Sequence, residues 1–198
     1  MHNVMPNRDD GFEAKRQQII DGALEVFART GPDRATNREI ASAAGIGSPG
    51  LIYHYFRDKA HLYQQVLEQR IPLLQLVGQP HGLDGVSLEE GLRRFGEAYL
   101  AMVKVPQVIP LLRLLISDIS RQPAARQVFW QAGPARGLAF LADFLQKAMD
   151  RGELRTDDPV LAARQYMGPL VLYVLTQTVF SLQDTEAVNA GSVLELNL

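Results

Sequence analysis

The side chains that could carry catalysis in this chain are few and scattered. Its four histidines are His2, His54, His61 and His81, with no HExxH-type spacing to put two imidazoles on one helix face. There is no cysteine to complete a metal set or form a disulfide, a composition compatible with a reducing cytoplasm. No G-x-S-x-G elbow, phosphate-cradling glycine loop or dinucleotide fingerprint occurs. The adjacent acids Asp157 and Asp158 precede Pro159 and read as a helix cap rather than an acid–base pair. No catalytic residue, metal or cofactor is therefore expected. What does cluster, between Thr36 and Lys59, is a set of hydroxyls, phenols and cations without the base or metal that bond-breaking would need.

The elements that must hold that cluster are helical. Ile19, Ile20, Ala23, Leu24 and Phe27 recur at three- to four-residue spacing and predict a helix from Phe12 to Arg29, stopped by Gly31–Pro32. Thr36-Asn37-Arg38-Glu39 has the form of a capping box, opening a short helix with Ile40, Ala41 and Ala44 on its apolar side and Gly45 at its end. Ser48–Pro49 supplies a cap and a proline for a third helix, Pro49–Phe56. Arg57-Asp58-Lys59 opens a fourth, with Leu62, Tyr63, Val66, Leu67 and Ile71 on its buried side, predicted to run as a connecting helix to about Val77. A Gly/Pro-rich loop over 78–86 follows.

Two short helices separated by a glycine-containing turn, with another helix before them, form a helix-turn-helix pattern. The stretch TNREIASAAGIGSPGLIYHYFRDKAHLYQQVL resembles the TetR/AcrR family of transcription regulators. The resemblance rests on the capped Thr36, Ile40-Ala41, Ala44-Gly45-Ile46, Ser48-x-Gly50, Ile52-Tyr53, Phe56, Lys59 and Leu62, and covers roughly Phe12 to Pro72. It implies that Thr36 and Arg38 face DNA phosphates and the groove edge, and that Ser48, Pro49, Gly50 and Leu51 begin the recognition helix at the base edges. It also implies that Tyr53, His54 and Tyr55 reach the sugar-phosphate backbone, and that Lys59 contacts phosphate. Physical chemistry agrees: Arg38 and Lys59 supply charge, helix-start amides favour phosphate oxygens, Gly50 permits close approach, and phenols donate hydrogen bonds. Two departures stand out. The turn Gly45-Ile46-Gly47-Ser48 is one residue longer than the commonest family pattern, and Tyr55 stands where histidine is usual. With Pro49 and Leu51 at positions often polar, base reading is expected to lean on thymine methyls and DNA shape.

Charge does not advertise this role. The chain carries a net charge of −2, and residues 1–70 hold nine Lys/Arg against nine Asp/Glu. Phosphate binding would have to come from placement of charge rather than bulk basicity. A helical adaptor without DNA binding would explain the apolar body but not the capped two-helix unit with its Ser-Pro-Gly entry.

The expected fold is all-α. Residues 1–11 are read as a disordered tail, 12–72 as the DNA-binding domain with its helix-turn-helix at about 35–56, and 73–198 as a helical ligand-binding and dimerisation domain. In the body, Leu88, Leu92, Phe95, Tyr99 and Met102 make one stripe, Pro106–Ser120 an apolar helix kinked by Pro110, Pro123–Ala132 a further helix, and Leu138, Leu141, Leu145 and Met149 another stripe. The last helix, from about Asp158 to Leu182, is apolar on nearly every face around Tyr166–Phe180. One face can bury at home; another must be covered, and a second copy is the economical cover. The resemblance implies the same, a four-helix homodimer interface from Pro134–Arg151 and Asp158–Leu182. It also implies an effector pocket, for which Tyr99, Met102, Phe129, Trp130, Tyr166 and Tyr173 are candidate apolar lining and Gln131, Gln165 and Thr176 candidate polar points. The sequence thus predicts a cytoplasmic, nucleoid-associated regulator without a membrane span. It binds a double-stranded operator as a homodimer and is released by a small, planar or lipophilic effector, with ligand-driven activation as the alternative.

Overall fold

A chain with helical periodicity throughout must bury one stripe of every helix against another helix. In the computed structural model the described residues are 8–79, 81–119, 130–131, 133–178 and 189–198, and every regular element among them is helical. Their contacts divide into two compact units, one ending at Val66 and the other beginning at Leu67.

In the first unit, α1 spans Arg8–Thr30, beginning four residues before the Phe12 start that apolar spacing suggests. Its buried stripe is Ile19, Ile20, Ala23, Leu24, Val26 and Phe27. α2 spans Asn37–Ala43. Its C-terminus closes with Gly45 at φ +61 while the Gly45 and Ile46 amides donate back to the Ser42 and Ala41 carbonyls. This is a Schellman ending, which requires the left-handed backbone glycine adopts most easily. Ile46 then turns into the core. A 3-10 turn, Pro49–Leu51, runs into the single-turn helix α3, Ile52–Tyr55. Ile52 and Phe56, both 1% exposed, anchor it. α4 spans Lys59–Arg70, and Asp58 Oδ1 caps it by accepting from the His61 amide at 2.7 Å.

The predicted connecting helix does not run unbroken to Val77. Pro72 has no amide hydrogen and disfavours helical backbone in the residue before it. Ile71 is accordingly extended, at φ −99 and ψ 113, and a separate helix, α5, covers Pro72–Val77.

The second unit continues with α6 (Leu88–Leu100), α7 (Val108–Ile119), α8 (Pro134–Asp150), α9 (Pro159–Thr178) and α10 (Ala190–Glu195). Pro110 is the third residue of α7, where a helix has no partner for the amide proline lacks, so it belongs to the first turn rather than to a mid-helix kink. The core centres on Phe95, fully buried between the rings of Phe140 and Tyr166 at 6.4 and 6.3 Å. α8 contributes Leu141, Phe144, Leu145, Ala148 and Met149, and α9 contributes Ala163, Tyr166, Leu170 and Val174. The opposite side of α9 leaves Leu161 and Leu172 exposed, at 52% and 61%. Of the predicted Pro123–Ala132 helix, all but 130–131 lies outside the described residues, as does the predicted end of the last helix beyond Thr178. No helix among the described residues is long and apolar enough to cross a membrane.

The tightest approach in the first unit is at Gly22, where an added Cβ would lie 2.5 Å from the Ala44 amide nitrogen and 2.8 Å from its Cα. Backbone atoms cannot yield as a flexible side chain can. Alanine in a helix interior gains about 1 kcal/mol over glycine, whereas overpacking typically costs 1–3 kcal/mol or more. Gly22→Ala is therefore expected to lower the stability of this unit by about 1–2 kcal/mol in urea unfolding, against the sign of helix propensity. Gly47→Ala, with nothing within 4 Å of the added atom, should move it by less than about 0.5 kcal/mol.

Candidate nucleic-acid interface

The site is assembled from the start of α2, the turn into α3 and the start of α4. Thr36 accepts from the Glu39 amide at 3.2 Å, while the Thr36 amide and hydroxyl both donate to Glu39 Oε2, at 2.9 and 2.7 Å. The hydroxyl bond and then the backbone bond hold the Glu39 carboxyl below the usual carboxylate range. With its hydroxyl proton given to Glu39, Thr36 fixes the start of α2 rather than offering that proton outward. Arg38 is exposed and makes no ion pair among the described residues.

Ser48 repeats the device, its Oγ accepting from the Gly50 amide at 3.2 Å. Ser48, Pro49 and Gly50 are exposed and Leu51 is half-buried. An added Cβ at Gly50 would meet only Ser48 Oγ, at 3.5 Å, so nothing inside the chain demands glycine there.

The aromatic run beyond this turn splits by helix geometry. Residues two apart on a helix face nearly opposite ways. Tyr53 is 59% exposed and His54 is exposed. Tyr55 is half-buried, its ring 4.5 Å from that of Phe12 on α1. Tyr55 thus packs the unit together, which the sequence reading, pairing it with His54, did not separate. Asn37 is the residue that reading missed: its side-chain amide donates to Tyr53 Oη at 2.7 Å. The only sequence signal was its place beside a cap, where asparagine is commonplace.

Lys59 has partners within the chain. Its ammonium donates to the carbonyls of Asp33 and Ala35, at 2.9 and 3.1 Å. Two of its three protons therefore tie the start of α4 to the α1–α2 loop. Arg57 is exposed beside Asp58, 3.5 Å away.

In the second unit four of the candidate lining residues, Tyr99, Met102, Tyr166 and Tyr173, share one hydrophobic core. Tyr166 is buried, with its hydroxyl donating to the Leu92 carbonyl at 2.6 Å. Burial pushes its phenol up to about 12, with Arg93 opposing and Glu97 adding to the shift. Tyr99 is half-buried and likewise pushed up to about 12 by burial. Met102 is buried, Tyr173 half-buried against the core and Trp130 48% exposed. Phe129 lies outside the described residues. A cavity of about 230 Å³ in this unit is lined by other residues, among them Leu83, Phe140, Phe144, Asp84, Asp143 and Lys147. Asp84 is held below the usual carboxylate range by a 2.7 Å bond to His81 and by Lys147.

Comparison with known proteins places this architecture. Residues 19–66 match the family model described as bacterial regulatory proteins, tetR family. Residues 90–191 match that of the AefR-like transcriptional repressor C-terminal domain. The chain is 30% identical over 190 residues to the HTH-type transcriptional repressor Rv1474c of Mycobacterium tuberculosis, covering 95% of this chain and 93% of that one. A TetR-family transcriptional regulator from Mesorhizobium loti superposes with a TM-score of 0.67 at 26% identity, over 92% of this chain and 91% of the other. The same fold occurs in the regulator FadR of Bacillus subtilis, solved with stearoyl-CoA, with a TM-score of 0.67 at 24% identity over 91% of this chain and 96% of that one.

The Lys59 latch can be tested without DNA. Lys59→Met keeps most of the stem but removes both bonds, and is expected to destabilise the free protein by about 1 kcal/mol in urea unfolding, the half-exposed setting discounting a charged donor's usual worth. Unchanged stability would mean that the lysine serves only an external partner.

Proposed function

Because the chain belongs to the tetR family of bacterial regulatory proteins, DNA-binding regulators of transcription, we propose that it is a homodimeric repressor released from its operator by a small, largely apolar effector. The observation that carries the DNA-binding half is the Ser48–Gly50 turn. It is exposed, capped from within and glycine-bearing where the chain itself needs none, while Ile52 and Phe56 fix the backbone behind it.

In this reading residues 12–72 form the DNA-binding head and 73–198 the sensing and dimerising body. Pro49, Gly50 and Leu51 meet base edges. Tyr53 and His54 reach the phosphate backbone together with Arg38, and Ser48 sets the entry of the turn. Thr36 and Tyr55 act on DNA indirectly, by holding α2 and α3 in register, and Lys59 holds the loop with two of its protons. Lys59 retains one uncommitted proton for a phosphate oxygen.

Leu161 and Leu172 on the outer side of α9, with Val160 at its start, are the apolar surface that a second copy would cover. The body core around Phe95, Tyr99, Met102 and Tyr166 has the aromatic and thioether character of a site for a lipophilic effector. That a FadR of this fold was solved with an acyl thioester is in keeping with such a ligand. Its place of action is the cytoplasm, on chromosomal DNA.

Sequencing the fragments retained by the purified protein from random DNA should return a two-fold symmetric motif with half-sites about one helical turn apart or a multiple of it. Light scattering should give about twice the 22.0 kDa chain mass. A compound that raises the melting temperature through the body should weaken operator binding roughly 5–150-fold. Retained DNA without a common motif would reject sequence-specific binding. A clean monomer would reject the dimer, and a set of body-binding compounds that all leave operator affinity unchanged would reject the sensor.

A further inference from the structure

Resting on that operator-binding reading, we infer that Asn37 is the positioning residue for the phosphate contact of Tyr53, setting which way the tyrosine hydroxyl points. The two residues lie on different helices, α2 and α3, and the Asn37 side-chain amide donates to Tyr53 Oη at 2.7 Å. A tyrosine hydroxyl has one proton to give and lone pairs to receive with, whereas an ionised phosphate oxygen only accepts. With one lone pair of Oη occupied by the amide, the hydroxyl proton turns away from α2, toward the side on which Tyr53 is exposed. Donation from the amide also polarises the hydroxyl and makes it a better donor in turn.

Asn37 is well placed to hold this orientation. It is half-buried and is the first residue of α2, directly after Thr36, whose amide and hydroxyl are locked to Glu39. The capping box therefore fixes the backbone from which the Asn37 amide reaches. Tyr53 hangs from a one-turn helix anchored by Ile52, and the amide bond restricts the torsions of its exposed side chain. Asparagine is also chemically particular here. Aspartate of the same shape can only accept, so it would draw the Tyr53 proton toward itself and leave lone pairs, and a negative charge, facing the phosphate.

The test measures binding of a labelled duplex, chosen by the protein from random DNA, to the intact wild-type chain, Asn37→Ala, Tyr53→Phe, the double variant and Asn37→Asp, with a melting temperature for each. Each neutral single variant is expected to weaken binding about fivefold. The double variant should also lose about fivefold rather than the roughly 25-fold product, because both remove one contact. Asn37→Asp should melt no lower than wild type, since an acid suits the first turn of a helix, yet bind more weakly than Asn37→Ala. The shared, non-multiplying loss in the double variant is what a merely structural asparagine could not produce. Wild-type affinity in Asn37→Ala, multiplicative losses in the double variant, or Asn37→Asp binding as well as wild type would each overturn the assignment. A silent Tyr53→Phe would overturn it as well. Failure of the wild type to select any duplex would instead remove the operator-binding reading on which it rests.

Discussion

The head depends on one steric constraint, the approach of α1 to the end of α2 at Gly22 and Ala44. Only a residue without a Cβ lets the two backbones come this close. That contact fixes the last turn of α2, from which the Schellman ending throws Ile46 into the core and starts the path to Ser48. The 3-10 turn and α3 follow with very few bonds of their own, because a one-turn helix cannot be stable by itself. Their orientation is borrowed from Ile52 and Phe56 below, Tyr55 against Phe12, and Lys59 tied to the Asp33 and Ala35 carbonyls. Within the path to Ser48, Gly47 is exposed, with nothing within 4 Å of an added Cβ.

Much of this was legible beforehand because it is written in local chemistry. Thr36 and Glu39 at cap spacing, Gly45 after an apolar stripe and Ser48 before proline each state a backbone geometry that needs no tertiary information. The buried stripe of α1 likewise follows from 3.6-residue periodicity. What sequence could not resolve was long-range pairing. Lys59 looks like a solvated helix start until the Asp33 and Ala35 carbonyls are seen beside it. Tyr53 and Tyr55 look equivalent until helix phase sends one outward and the other onto Phe12. The break at Ile71 was readable from Pro72, but a continuous apolar pattern across it masked the signal. In the body, aromatic composition alone could not tell core from lining: Tyr166 is spent on a bond to the Leu92 carbonyl, a partner far away in sequence.

The electrostatics of the head follow from the same arrangement. Of the cations near the helix-turn-helix, Lys59 is largely committed to carbonyls and Arg57 stands next to Asp58, leaving Arg38 as an exposed charge without an ion pair among the described residues. On the proposed reading, a head with balanced charge binds phosphate largely through oriented neutral donors, namely phenol and backbone amide, rather than through a basic surface. Such binding is demanding of geometry and cheap in counterions. It would suit the proposed control by an effector, since a small displacement breaks oriented bonds while hardly altering a diffuse electrostatic attraction.

The salt dependence of operator binding tests that claim most directly. With one or two cations per head engaging phosphate and two heads on the duplex, log K against log salt should fall with a slope of about −2 to −4. A slope of about −8 or steeper would mean that bulk basicity, not placement, holds this protein on DNA.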